Sequence, residues 1–206
     1  HIVGSLTFDA ASLEERRLLD VPALLRQAGV RPGARLIVGG STHPGEETIL
    51  AGQFLRLRSR FPDLFLVLVP RHFERSREVG RELEAQGLKF AYRSELTARK
   101  RFEPGEINCL VVNTTGELKY FYEQGTIIFV GKSLTTEGGQ NPIEPGALGK
   151  AMVFGPNMQN FAEVVRDLLE QNGAVQVRDA AELEQVLSEL LADEPRREQL
   201  GRKALR

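Results

Sequence analysis

The stretch Gly125-Thr-Ile-Ile-Phe-Val-Gly131, followed by Lys132-Ser-Leu134 and then Gly138-Gly-Gln-Asn-Pro-Ile-Glu-Pro145, decides how the rest of the chain is read. Its first part is a short apolar run without polar alternation, which suits a strand covered on both faces. Its second part is turn chemistry. Pro142 fits the first turn of a helix, where a missing N–H is not needed. Asn141 is then the expected N-cap and Glu144 a first-turn carboxylate. The paired glycines Gly138 and Gly139 therefore lie beyond the carboxyl end of a strand, where open α/β sheets bind ligands. A phosphate-bearing ligand is the first expectation.

Working outward, similar apolar runs recur at Arg35–Gly39, Leu64–Val69, Cys109–Val112, Ala151–Phe154 and Ala174–Val177, with a weaker one at Lys89–Tyr92. Between them lie amphipathic helical stretches at about Gly45–Phe61, Phe73–Gln86 (stopped by Gly87), Asn160–Gln171 and Ala180–Ala192. Short helices are expected after Gly116 and after Pro142, and a last one runs from Pro195 to the chain end. This alternation predicts an α/β fold, a doubly wound Rossmann-like parallel sheet of about six strands with right-handed crossovers. Residues 1–11 hold only the strand-like piece Ile2–Phe8, and Ser12-Leu-Glu-Glu15 has capping-box spacing. The expected organisation is a connecting segment over 1–11 and one domain over 12–206, cut from something larger at both ends.

Bulk properties exclude several classes. The 206 residues carry a formal net charge of −1, so no global basic field favours nucleic acid. The single cysteine, Cys109, sits in an apolar run and reads as core rather than as half of a disulfide. No run of about 18 apolar residues is present, and no signal peptide is expected. Arg is much commoner than Lys, which suits planar recognition of phosphate and carboxylate but also follows from genome composition.

Candidate chemistry collects at the predicted strand ends. Ser41-Thr-His-Pro-Gly-Glu-Glu47 follows the first strand and opens a helix, and Ser41 and Thr42 are its candidate ligand contacts. Arg71 and His72 follow the second strand; a cation beside an imidazole suits a phosphate or a carboxylate. Asn113-Thr-Thr-Gly-Glu-Leu118 follows another, so Thr115, Gly116 and Glu117 stand at a helix start. Gly131-Lys-Ser-Leu134 has the tail of a P-loop, but Thr126 stands where the upstream glycine is required, which rejects an ATPase and leaves Lys132 as a ligand contact. Gly155-Pro-Asn157 through Asn160 closes a further strand, and Asn160 is placed to reach a base or sugar. No Asp-x-Asp pair, no Cys/His cluster and no Gly-x-Gly-x-x-Gly follows a strand, so neither a metal nor a dinucleotide is expected. Each motif alone also describes an ordinary helix cap.

In order, Ser41–Glu47, Leu68-Val-Pro-Arg-His72, Thr115-Gly-Glu-Leu118, Phe129–Leu134, Gly138–Pro145 and Phe154-Gly-Pro-Asn157 through Phe161, with the entry segment Gly4-Ser-Leu-Thr-Phe-Asp9, resemble the 3-deoxy-D-manno-octulosonic acid (Kdo) transferases. The resemblance covers essentially the whole chain. It implies one half, the C-terminal donor-binding half, of a two-domain GT-B glycosyltransferase that moves Kdo from CMP-Kdo to a lipid A precursor in lipopolysaccharide synthesis. It further implies an inverting, metal-independent reaction and a catalytic Glu in the N-terminal acceptor domain, so that this half alone carries no catalytic residue and turns nothing over. The implied setting is the cytoplasmic face of the bacterial inner membrane, with this half itself soluble. Carried over by motif, Ser41, Arg71, Gly116, Glu117, Asn141 and Glu144 line the CMP-Kdo site. Glu144 is expected to accept hydrogen bonds from nucleotide hydroxyls. Gly116 and Glu117 are expected to offer N–H groups to the phosphate, and Arg71 to neutralise either that phosphate or the sugar carboxylate. Asn113 and Gln140 depart from the usual Asp and His, removing a carboxylate and a titratable ring. The alternatives are a GT-B donor domain for a UDP-sugar and a non-catalytic α/β docking module.

Overall fold

A computed structural model describes residues 19–205. The apolar runs form a seven-stranded, wholly parallel sheet: β1 (Leu36–Thr42), β2 (Phe65–Pro70), β3 (Phe90–Tyr92), β4 (Cys109–Val111), β5 (Ile127–Val130), β6 (Met152–Phe154) and β7 (Val175–Gln176). Their order across the sheet is β3-β4-β2-β1-β5-β6-β7. The chain winds from β1 to one side through β2 to β4, then returns to pair β5 on the other flank of β1. The strand order thus reverses between β1 and β5, and in such sheets the crevice above the reversal is the ligand position.

The helices are α1 (Val21–Gln27), α2 (Glu46–Leu57), α3 (Ser76–Ala85), α4 (Leu118–Tyr122), α5 (Ile143–Ala147), α6 (Ala162–Glu170), α7 (Ala180–Ala192) and α8 (Glu194–Ala204). Strand residues alternate between two cores. Ile37, Leu66, Leu68, Ile127 and Phe129 face Leu50 and Phe54 of α2, Leu83 of α3 and Leu187 of α7. Val38, Val67, Leu110, Ile128 and Phe154 face Leu25 of α1, Phe121 of α4 and Leu168 of α6. Continuous apolar runs are what two covered faces require, and each such side chain contributes about 1.5–3 kcal/mol on burial. Cys109 is a free, buried thiol in the first core.

Several boundaries differ from the sequence reading. The weak seventh strand exists, as the sheet edge β3. β1 runs through Thr42, with a register irregularity between Gly40 and Thr42 and Ser41 at φ +53°. Ser41 and Thr42 therefore belong to the strand end, not to a helix-opening turn. α2 stops at Leu57 because residues 58–61 tighten into a turn, with the N–H groups of Arg60 and Phe61 both reaching the Leu57 carbonyl ahead of Pro62. The stretches expected as helix from Phe73 and from Asn160 begin with single 3-10 turns, Phe73–Arg75 and Gln159–Phe161. α1 was not legible as a separate helix; Asp20 caps it by accepting from the Ala23 N–H at 3.0 Å. The connecting segment 1–11 and the Ser12–Glu15 capping box lie outside the described residues.

Candidate functional site

At the crossing of β1 and β5 the backbones touch. A side chain at Gly131 would collide with the Ser41 carbonyl, and the Gly131 N–H donates to the Gly40 carbonyl at 2.8 Å. The β5 exit is closed around Glu46, the first residue of α2, which is 0% exposed. Its Oε1 accepts the N–H groups of His43 and Lys132, each at 2.9 Å; its Oε2 accepts those of Ser133 and Leu134, each at 3.0 Å. Successive backbone N–H groups form an anion-binding nest, and here an internal carboxylate fills it. The Gly-Lys-Ser turn that resembles a P-loop tail therefore has no N–H to offer a phosphate.

The paired glycines are committed in the same way. Gly138 N–H donates to Oε1 of Gln159 at 2.8 Å, and Gly139 N–H to the Lys132 carbonyl at 2.8 Å. Both have positive φ, +119° and +84°, which a residue with a side chain rarely adopts. They let the loop fold back over Lys132, whose Nζ stands 3.4 Å from the position a Gly138 Cβ would occupy, beside Asn160. The Asn160 N–H closes this cluster onto the Gly138 carbonyl at 2.9 Å. Lys132, Gly138, Gly139 and Asn160 thus form one contiguous corner between the β5 and β6 exits.

The β1 and β2 exits join the same edge. The Arg71 N–H donates to the Thr42 carbonyl at 3.0 Å, and the rings of His43 and His72 meet edge to face with centroids 5.9 Å apart. Burial lowers the pKa of His43; its hydrogen bond to the Ser41 carbonyl and the nearby Glu46 oppose this, and Lys132 and His72 add to it. Thr42 is 0% exposed and its hydroxyl has no partner among the described residues, so its side chain faces the interior. Arg71 and His72 are exposed, and the side chains of Arg71 and Lys132 form no ion pair among the described residues. Arg75, three residues past His72, is a different kind of cation. Burial pulls its pKa down, but its twofold hydrogen bond to the buried Glu47, at 3.1 Å on each arm, outweighs that and raises it.

One strand further out, the β4 exit stays open. Gly116 adopts φ +77°, and nothing stands within 4 Å of where its Cβ would be. The Glu117 carboxylate is turned aside, accepting from Arg93 at 3.2 Å and from the Thr114 hydroxyl. Asn113 completes the tie to the turn after β3, accepting from the Ser94 N–H at 3.0 Å and donating to the Ser94 hydroxyl at 2.8 Å. Thr115 is exposed beside Gly116. On the other flank, helix α5 starts one residue later than expected, with Pro142 rather than Asn141 at the N-cap. Asn141 still serves the end, because its side-chain oxygen accepts from the Ile143 N–H at 2.9 Å, two residues on. Glu144 is exposed on the first turn and close enough to the buried Tyr122 to reinforce the upward pKa shift that burial imposes on that phenol.

The thirteen candidate residues therefore lie on strand ends, loops and first helical turns at one edge of one sheet. Sequence reading missed Glu46, Arg93 and Gln159, which hold those loops in place. Their partners lie 86 to 88, 24 and 21 positions away, too far for any local pattern. Among the described residues no group of three or more His, Cys, Asp and Glu could hold a metal ion, and no helix is long and apolar enough to cross a membrane.

No protein-family profile matches the chain. Among curated proteins it is 33% identical over 205 residues to a 3-deoxy-D-manno-octulosonic acid transferase of Haemophilus influenzae, covering 98% of this chain and 46% of that protein. A Bordetella pertussis enzyme of the same name is also 33% identical, over 207 residues, with the same coverages. The chain thus spans about half the length of the curated relatives it matches. Among solved structures, the C-terminal CMP-Kdo binding domain of WaaA from Acinetobacter baumannii superposes with a TM-score of 0.77 at 27% identity, over 84% of this chain and 88% of that one. The C-terminal domain of the glycosyl transferase LpcC from Francisella tularensis superposes at TM-score 0.58 and 13% identity, over 84% of each chain, a likeness of fold alone. The doubly wound sheet is one half of a GT-B architecture, and the chain belongs to the 3-deoxy-D-manno-octulosonic acid transferase family, matching the C-terminal domain of its members.

Proposed function

We propose that this domain binds CMP-Kdo and supplies the donor half of an inverting glycosyltransferase that moves Kdo to a lipid A precursor. The observation that carries this reading is the placing of two cations that form no ion pair among the described residues, Arg71 and Lys132, and of an open glycine turn at Gly116, on the sheet edge where the strand order reverses. A nucleoside monophosphate sugar needs such an edge. Its leaving group is a phosphate, and breaking the bond at a tertiary anomeric carbon builds negative charge on that phosphate while the sugar becomes oxocarbenium-like. Preorganised cations and N–H groups at the phosphate stabilise that charge.

In this reading Arg71 and Lys132 take the phosphate and the Kdo carboxylate. Thr115, Gly116 and the Glu117 backbone approach the phosphate from the β4 side, while the Glu117 side chain keeps the loop in shape through Arg93. Glu144 on α5 and Asn141 just before it accept from the cytidine hydroxyls, and Ser41, His72 and Asn160 border the crevice. No metal is invoked, since guanidinium and ammonium supply the positive charge. The catalytic base belongs to an N-terminal acceptor domain, which partners this one at the cytoplasmic face of the inner membrane, and the part of this domain is to bind the donor.

Calorimetric titration of the chain with CMP and with UDP tests the reading. CMP is expected to bind at least ten-fold more tightly, and Arg71→Ala and Glu144→Gln each to weaken CMP by about ten-fold, the scale of one charge-assisted contact at about 1.4 kcal/mol. Equal affinity for UDP, or no loss in either variant, contradicts it.

A further inference from the structure

The carboxylate of Glu46 does more than cap a helix. It accepts four backbone N–H groups, as many as its lone pairs allow, in full burial and with no cation beside it among the described residues. The four donors come from two loops, His43 after β1 and Lys132 to Leu134 after β5. One oxygen, Oε1, carries both His43 and Lys132, residues whose side chains border the crevice.

Lys132 depends on this contact more than its neighbours do. It holds φ +55°, the left-handed region that residues with a Cβ avoid, although glycine is available one residue before it. Its backbone is gripped at both ends: the N–H by Glu46 at 2.9 Å, the carbonyl by the Gly139 N–H at 2.8 Å. That grip aims the side chain across Gly138 towards Asn160. Without the carboxylate the residue is expected to relax out of the left-handed region, taking the ammonium with it.

We infer that Glu46 is a positioning residue for the donor site: its buried carboxylate fixes the backbone of Lys132 so that the ammonium meets the anionic ligand. The inference rests on the donor-site reading above and goes beyond it, because Glu46 itself touches no ligand.

A double-mutant cycle on the 206-residue chain tests it, with CMP as the probe and calorimetry as the readout. Glu46→Gln places an NH₂ group against two of the four N–H donors and releases part of the loop. The expected result is at least a ten-fold loss of CMP affinity in Glu46→Gln, a similar loss in Lys132→Ala, and a double variant no weaker than either single within about two-fold. Arg71→Ala combined with Glu46→Gln is expected to multiply the losses, because the Arg71 N–H is held by the Thr42 carbonyl in β1 and not by Glu46. If Glu46→Gln does not fold, Glu46→Asp, which keeps the charge but withdraws it by one methylene, enters the same cycle. Wild-type affinity in the folded Glu46 variant, or losses that multiply with Lys132→Ala, overturns the inference while leaving the donor site standing. Failure of the unaltered chain to bind CMP overturns both.

Discussion

At the β5 exit the N–H groups of Lys132, Ser133 and Leu134 close around the carboxylate of Glu46; at the β4 exit Gly116 borders open space and the nearby carboxylate, Glu117, is held aside by Arg93. In sequence the two turns look alike, a glycine among polar residues between an apolar run and a short helix. Read locally, the first has the tail of a P-loop without its upstream glycine, and the second is a helix start with N–H groups for a phosphate. The fold widens that difference. A nest already holding an anion has no donor left, and a second anion beside it meets repulsion that side-chain cations such as Lys132 must offset. The same holds for Gly138 and Gly139, whose N–H groups serve the loop itself. An incoming phosphate is therefore served by side-chain cations on the β5 side and by exposed backbone on the β4 side.

The largest expected effect comes from emptying the filled nest. Glu46→Ala leaves four backbone N–H groups without their partner, that of Ser133 buried and the other three half-buried, and at about 1 kcal/mol for each the chain loses up to about 4 kcal/mol. Urea unfolding measures this, and a loss below about 1 kcal/mol breaks the contrast between the two exits. Formate should restore part of the melting temperature in the variant and none in the parent.

A smaller effect is expected at the open exit. Gly116→Ala meets no neighbour but must adopt φ +77°, a cost of about 1–2 kcal/mol. CMP affinity should fall further than stability does, because the new methyl occupies the approach to the turn. An unaltered CMP titration with reduced stability would make the β4 exit as closed to ligand as the β5 exit.

The smallest effect is a pH dependence near the junction of the two regions. Burial, the largest influence on His43, lowers its pKa in the folded state below that of the unfolded chain. The unfolded state then binds the proton first as pH falls, so the His43 contribution is complete above the ordinary histidine range near about 6.5 and is lost below it. Since the ring is partly exposed, the slope is shallow. Stability curves at about pH 7.5 and about pH 5.5, on either side of that range, should differ less in His43→Gln than in the parent.

The architecture was legible because its cause is local. Runs such as Leu64–Val69 and Thr126–Val130 are apolar at nearly every position, and only a sheet covered on both faces accommodates that. Strand ends were legible for the same reason, and they carried the candidate residues to one edge. The hidden part depends on partners far away in the chain. Glu46 reads as a first-turn acid suited to a helix dipole, and nothing near it reports that a loop 86 residues on will wrap it. Glu47, its neighbour, reads identically, yet it is buried against Arg75. The 3-10 turn at Arg93–Glu95 has no pattern of its own, so the tie from Arg93 to Glu117 had no signature.

The central claim, that ligand binds on the carboxyl edge between the β4 and β6 exits, is tested most directly by amide chemical-shift mapping as CMP is titrated into the chain. The account predicts that the shifted amides gather at 41–43, 71–72, 114–118, 131–133, 138–144 and 157–160. It is contradicted if they gather instead around the hollow of about 450 Å³ at the opposite edge, bordered by Gly29, Asp63 and Gly105, or if they scatter over both ends of the sheet.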